Sequence, residues 1–212
     1  ALVPAVLALA ESRGISGRKA LVSYAVGFEV GAKVGTAMGL KLFEGNWHVT
    51  PIQGTIAATA AAARILGLSV EQTRMAFGIA SSLAGGLKRN YGTMTKPLHA
   101  GNAARNGILA GLLAMDGFTG DSDVFEGKYS LFRTFVGEEG DLRSIEENIG
   151  KTWDLVSPSV WVKAYPCCGA SHSGIDAILY LRNRYKIAPH HVAEIECKTS
   201  PTMIVTATKD FP

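Results

Sequence analysis

Charge is scarce in this sequence. Asp, Glu, Lys and Arg make up 18% of its 212 residues, against about 25% in a typical soluble domain. The excess of 21 Lys+Arg over 18 Asp+Glu leaves only +3, and those charges are scattered, so nucleic acid is not an expected partner. Low charge with 47% hydrophobic residues also excludes a disordered chain. Long hydrophobic runs are missing too. Gly, Lys, Glu or Arg interrupt every apolar stretch well before the ~18 residues that a membrane span needs, so no membrane association is expected. The three cysteines, Cys167, Cys168 and Cys197, form no C-x-x-C pair and no metal-ligand spacing. An odd, low count suits a reducing cytoplasm. Residues 2–8 are apolar but follow no basic region, so they do not read as a secretory signal.

Several catalytic motifs are absent as well. No phosphate-binding G-x-x-x-x-G-K-[ST] occurs, and no H-E-x-x-H. The five histidines lack the spacing of a zinc site, so no metal is expected. The run Gly169-Ala170-Ser171-His172-Ser173 lacks the last glycine of a nucleophile elbow.

Glycine, by contrast, is abundant, at 24 residues. Much of it falls in helical patterns. Residues 2–12 read as a short apolar helix, and Ser16 can cap a second helix over residues 17–39. That helix carries Gly27, Gly31, Gly35 and Gly39 at spacings of four, which puts them on one stripe. Each costs up to ~1 kcal/mol of helix propensity relative to Ala, so the stripe predicts a second helix packed against the backbone.

Thr50-Pro51-Ile52-Gln53 reads as a cap, a first-turn proline and a capping box for a helix ending at Gly67. Ser69-Val70-Glu71-Gln72 opens another helix, to about Ala84. A polar loop follows over residues 88–92, and Pro97 then starts a helix lined with small residues. Residues 123–126, 131–136 and 141–148 read as short helices. Residues 160–162 read as a short strand, and residues 174–185 as a helix with Ile175, Ile178, Leu179 and Leu181 facing inward. Residues 192–199 and 203–207 read as strands. A boundary between an all-helical part and an α+β part is expected within residues 160–190. The length allows one large domain, or one plus a fragment. The chain begins without Met inside a helical pattern and stops just after a strand pattern, so it reads as a fragment.

The polar residues worth weighing sit at helix entrances. His48 lies two residues before Thr50, and Lys96 just before Pro97. Helix N-termini attract carboxylates through unpaired N–H groups and the helix dipole. They also disfavour the cationic form of a nearby Lys, as burial does, and so tune it for proton transfer. Two such entrances would hold a small anion if they converge. His99 lies one turn beyond Lys96. Each of these residues also has a plain structural reading: a capping or surface histidine, a solvated lysine, small buried cysteines.

Longer motifs tip the balance. The runs TIAATAAAARILGLSVEQTRMAFGIASSLAGGL, GTMTKPLHAGNAARNGILAGLLAMDGFTG, DVFEGKYSLFRTF and VKAYPCCGASHSGIDAI together resemble the 2-methylcitrate dehydratase family, the MmgE/PrpD superfamily. The resemblance covers essentially the whole chain, and T-K-P-L-H-x-G-x-A-A-R-x-G is its most specific segment. It implies a mainly α fold: an all-helical domain over residues 1–160, incomplete at its start, then the beginning of an α+β lid domain over residues 161–212. It implies a homodimer and an active site in the cleft between the domains. It also implies chemistry without metal or organic cofactor, in which a proton moves next to a carboxylate of a small di- or tricarboxylate.

By the same resemblance, His48, Lys96, His172 and Cys168 are the catalytic candidates, and Thr95 and His99 the substrate-binding ones. Asn46-Trp47 and Val49 depart from the family's G-F-H-P-T. Cys168 stands where decarboxylase-type members carry His, which disfavours cis-aconitate decarboxylation. The expected activity is therefore a hydro-lyase of the 2-methylcitrate dehydratase type. The alternatives are an epimerase of an amino- or imino-dicarboxylate, and a helical scaffold without catalysis. Missing pocket segments would leave the fragment inactive, and its uncovered faces would make it poorly soluble.

Overall fold

A computed structural model describes residues 1–137 and 140–200. The chain divides into two compact units, Ala1–Val160 and Trp161–Pro212. The described residues form helices and no β-strand, so the protein is mainly α.

The first unit is built on α3 (Val49–Leu66). Twelve of the 18 residues of α3 are buried, half of them alanines. A helix that is apolar on every side belongs in the middle of a bundle. Around it pack α1 (Leu2–Ser12), α2 (Gly17–Glu44), α4 (Val70–Leu83) and α5 (Thr95–Met115). Small residues let these helices approach closely. A Cβ on Gly27 of α2 would lie 2.6 Å from the Ala57 carbonyl oxygen, and one on Gly107 of α5 would lie 2.7 Å from the Thr59 nitrogen. Side chains of ordinary size at those positions would force the backbones apart.

The glycine stripe thus packs as expected, except at its end. Gly39 has nothing near it and sits at φ +60°, where it kinks α2. The left-handed conformation is open to glycine at little cost. The helix therefore continues past Gly39 to Glu44 instead of stopping there. The capping serines act as read: Ser16 Oγ accepts from the Lys19 N–H at 3.3 Å, and Ser69 and Gln72 form the reciprocal capping box. The expected Thr50 cap does not form. Helix α3 starts at Val49, with His48 as its N-cap residue, and the Thr50-to-Gln53 box is lost. The Gln53 side chain packs against Gly35 of α2 instead.

Shorter helices, α6 (Leu131–Val136) and α7 (Leu142–Asn148), complete the unit, and Phe132 of α6 is fully buried. Residues 123–126 form turns rather than a helix. Glu29 and Lys33 of α2 are buried, not lipid-facing or solvated. The Lys33 ammonium reaches Asp154 Oδ2 at 2.6 Å and the Thr152 carbonyl at 2.9 Å, and Glu29 Oε2 accepts the Asp154 N–H at 2.8 Å. Glu29 Oε1 lies 3.2 Å from the same ammonium, an ion pair without hydrogen-bond alignment. The network staples residues 152–154 onto α2.

The second unit contains α8 (His172–Tyr185), which starts two residues earlier than the sequence suggests. Ile175 and Leu179 are half-buried, whereas Ile178 and Leu181 are 38% and 46% exposed, so the expected inward face is only partly formed. Residues 160–162 and 192–199 are not strands. Alternating sequence is insufficient where no second strand supplies a ladder, and none does among the described residues. The expected strand at 203–207 lies outside the described residues.

Candidate functional site

The backbone at His48 is fixed by a segment distant in sequence. Trp47 and Leu87 form an isolated antiparallel bridge. On either side of it, the His48 N–H donates to the Gly86 carbonyl at 2.8 Å and the Lys88 N–H to the Asn46 carbonyl at 2.9 Å. Lys88 also donates its ammonium to the carbonyls of Phe43 and Gly45. Those are orphan acceptors at the end of α2, where a cation is favoured. From α5, Asn106 Nδ2 donates to the Leu83 carbonyl at 2.8 Å and so ties down the end of α4 just before this segment.

His99 comes from the second turn of α5 and meets His48. Their Nδ1 atoms are 3.0 Å apart, and each residue is 7% exposed. Two Nδ1 atoms at that distance share one proton: one ring donates and the other accepts. The neutral pair therefore has complementary tautomers. The donor ring leaves its Nε2 as a base, and the acceptor ring carries its proton on Nε2. Both cationic forms together would set two N–H groups against each other. Burial, the neighbouring His99 and the Lys96 charge push the His48 pKa down from 6.5 to about 4, so His48 is neutral at pH 7.

Lys96 and Tyr91 complete the cluster. The Lys96 ammonium sits over the Tyr91 ring, 4.5 Å from its centroid. The His48 and Tyr91 rings meet edge to face at 5.0 Å and 83°. The entrance to α5 is less open to an anion than the sequence suggests. Thr93 takes its first N–H groups, with its Oγ1 accepting from Thr95 at 3.3 Å and its carbonyl accepting from Lys96 at 3.1 Å. Thr95, next to Lys96 in the sequence, is half-buried. No side chain caps α3.

The sequence missed two contributors. Gly86 reads as a helix stop, but its Cα lies against the site: a Cβ there would fall 2.7 Å from Pro51 Cγ and 3.0 Å from His99 Nδ1. Tyr91 reads as part of a polar loop. Gly86 meets Pro51 and His99 across 35 and 13 residues, and Tyr91 meets His48 across 43, separations that no local pattern marks. A cavity of about 730 Å³ in the same unit, lined by Leu109, Leu113, Phe118 and Tyr129, includes none of His48, Lys96 or His99. Among the described residues no group of His, Cys, Asp and Glu is placed to hold a metal ion.

His172 and Cys168 lie in the second unit. His172, the first residue of α8, is buried between Trp161 and Tyr165, with ring centroids 5.1 Å away in each case. Its Nε2 is enclosed and has no hydrogen-bond partner among the described residues. Tyr165 donates its hydroxyl to Asp176 at 2.5 Å, and that bond raises its pKa. Cys168 is half-buried just before a 3₁₀ turn, Gly169–Ser171.

Residues 1–142 match the family model described as the MmgE/PrpD N-terminal domain. The chain belongs to the MmgE/PrpD family. Curated relatives agree. The cis-aconitate decarboxylase-like protein oryM of Aspergillus oryzae is 38% identical over 200 residues, 87% of this chain and 41% of that protein. Cis-aconitate decarboxylase of Aspergillus terreus is 34% identical over 197 residues, 87% of this chain and 40% of that one. The human cis-aconitate decarboxylase is 34% identical over 199 residues, 92% of this chain and 40% of that one. The chain thus spans about two-fifths of the length of these MmgE/PrpD relatives. No described helix is long and apolar enough to cross a membrane.

Proposed function

We propose that the protein acts as a lyase on a small di- or tricarboxylate, with His48, His99 and Lys96 as one half of its acid–base site. The observation that carries this reading is the 3.0 Å contact between the two Nδ1 atoms in the same cluster as the Lys96 ammonium. Such a pair offers a proton acceptor and a proton donor near a cation suited to a carboxylate. His48 stays neutral at physiological pH, so it is available as a base or as a donor from its neutral form.

Decarboxylation of a cis-aconitate-like acid is the first reading, because the curated relatives carry that name. In that reaction the electrons of the breaking C–C bond form a new C=C as CO2 leaves. The pair of the former alkene then takes a proton at a carbon next to a carboxylate. The acidic imidazole would deliver that proton, and Lys96 would hold the carboxylate whose charge grows. Dehydration of a 2-methylcitrate-like acid is the second reading, favoured by Cys168 in place of a histidine. There the basic imidazole removes the proton next to a carboxylate, and the acidic imidazole assists departure of hydroxide.

The test uses the full-length protein with cis-aconitate and 2-methylcitrate in D2O. CO2 release with one deuterium gained supports decarboxylation, and water loss from 2-methylcitrate supports dehydration. Deuterium exchange into an amino- or imino-dicarboxylate with neither loss would replace the lyase by an epimerase. No reaction with any of them would overturn the catalytic reading.

A further inference from the structure

Lys96 has four rotatable side-chain bonds, and the position of its charge decides what the histidine pair can do. Among the described residues its ammonium rests on the face of Tyr91. The same ring meets His48 edge to face. Tyr91 is therefore the common neighbour of the cation and of the buried imidazole. It precedes the T-K-P-L-H run by several residues and leaves the 3₁₀ turn Lys88–Asn90 as its C-cap residue, so its backbone is carried by the same bridge that fixes His48.

We infer that Tyr91 is a positioning residue, whose ring holds the Lys96 ammonium beside His48 and so sets both the anion-binding charge and the protonation state of the histidine pair. The groups that face His48 are His99 and Lys96 from α5 and Tyr91 from the loop before it. The nearby Lys88 spends its ammonium on the Phe43 and Gly45 carbonyls at the end of α2. The aromatic face attracts an ammonium through its quadrupole, and the hydroxyl is dispensable for that attraction. A Phe in place of Tyr91 should therefore work, and an aliphatic residue should not.

This inference deepens the proposed lyase site, but its main readouts need no substrate. The full-length protein is labelled with 13C in histidine and lysine, and His48 is titrated by NMR in wild type, Tyr91→Phe and Tyr91→Leu. In wild type the Lys96 ε-methylene protons should lie upfield of those of the other lysines, shifted by the ring current. Tyr91→Phe should keep that shift and the wild-type titration. Tyr91→Leu should lose the shift and move the His48 titration upward by about half a pH unit or more, because a charge and an aromatic cover leave together. In a Lys96→Gln background, Tyr91→Leu should move the titration less than it does alone. With a substrate in hand, Tyr91→Leu should lower kcat/KM about 2- to 5-fold. An unshifted Lys96 in the wild type would overturn the inference without any variant. So would a Tyr91→Leu protein in which His48 titrates as in wild type, or a Tyr91→Phe protein that behaves like Tyr91→Leu.

Discussion

Acidification should destabilise the protein through His48. The ring is buried, lies 3.0 Å from a second imidazole, and titrates near pH 4 instead of 6.5. Between those values the unfolded chain binds a proton that the folded chain refuses. A group whose folded pKa is depressed contributes stability above its unfolded pKa, and that contribution is lost as pH falls. The window here runs from about pH 6.5 down to about pH 4. Linkage with these two values gives a loss of about 2 kcal/mol at pH 5, an upper figure because the ring edge keeps some contact with solvent. The assay is urea unfolding at pH 7 and pH 5 for the wild type and His48→Gln. Other titrating groups contribute to both proteins and cancel in the difference. Wild type should lose about 1–2 kcal/mol more than His48→Gln between the two pH values. Equal losses would refute the burial and the histidine contact as described.

Four further perturbations follow from the packing. Gly107→Ala places a methyl group against the α3 backbone, 2.7 Å from the Thr59 nitrogen; it should cost about 1–2 kcal/mol, since overpacking outweighs the gain in helix propensity. Gly101→Ala on the same helix has nothing within 4 Å and should stabilise by up to ~1 kcal/mol, measured in the same urea series. Lys33→Met leaves Glu29 buried without its cation and frees residues 152–154; it should cost about 2–3 kcal/mol, below a fully enclosed pair because Asp154 keeps 18% exposure. Gly86→Val pushes on His99 and Pro51, and should lower any turnover by the full-length protein while leaving its far-UV circular dichroism unchanged.

The legible parts of the fold were those governed by local chemistry. Ser16, and Ser69 with Gln72, announce helix starts because their partners lie three residues away. Gly27 and Gly31 announce a close helix contact because a costly residue recurs on one stripe. Thr50 misled for a related reason: it had the right neighbours for a cap, but the bridge from Trp47 to Leu87 had already set where α3 begins. Nothing near residue 48 in the sequence encodes a pairing with residue 87. The same non-local step hid Gly86 and the meeting of Tyr91 with His48, whereas the α5 entrance is taken by Thr93 from only two and three residues away. His48, Lys96 and His99 were legible as candidates because the T-K-P-L-H segment resembled a known family. Their contact at Nδ1 was not, since it depends on how α3 and α5 cross. The strand pattern at residues 192–199 shows the converse, an alternation that meets no partner strand among the described residues.

The central claim is that His48, His99 and Lys96 act together on a carboxylate substrate. Its most direct measurement is steady-state kinetics of the full-length protein with the acid that it turns over, for wild type, His48→Ala and Lys96→Ala, with folding checked by circular dichroism. Loss of a positioned acid–base group or of a charge that stabilises the transition state should lower kcat/KM by about 100-fold or more in each variant. Folded variants that keep kcat/KM within about threefold of wild type, where general acid–base catalysis alone is worth far more, would contradict the account.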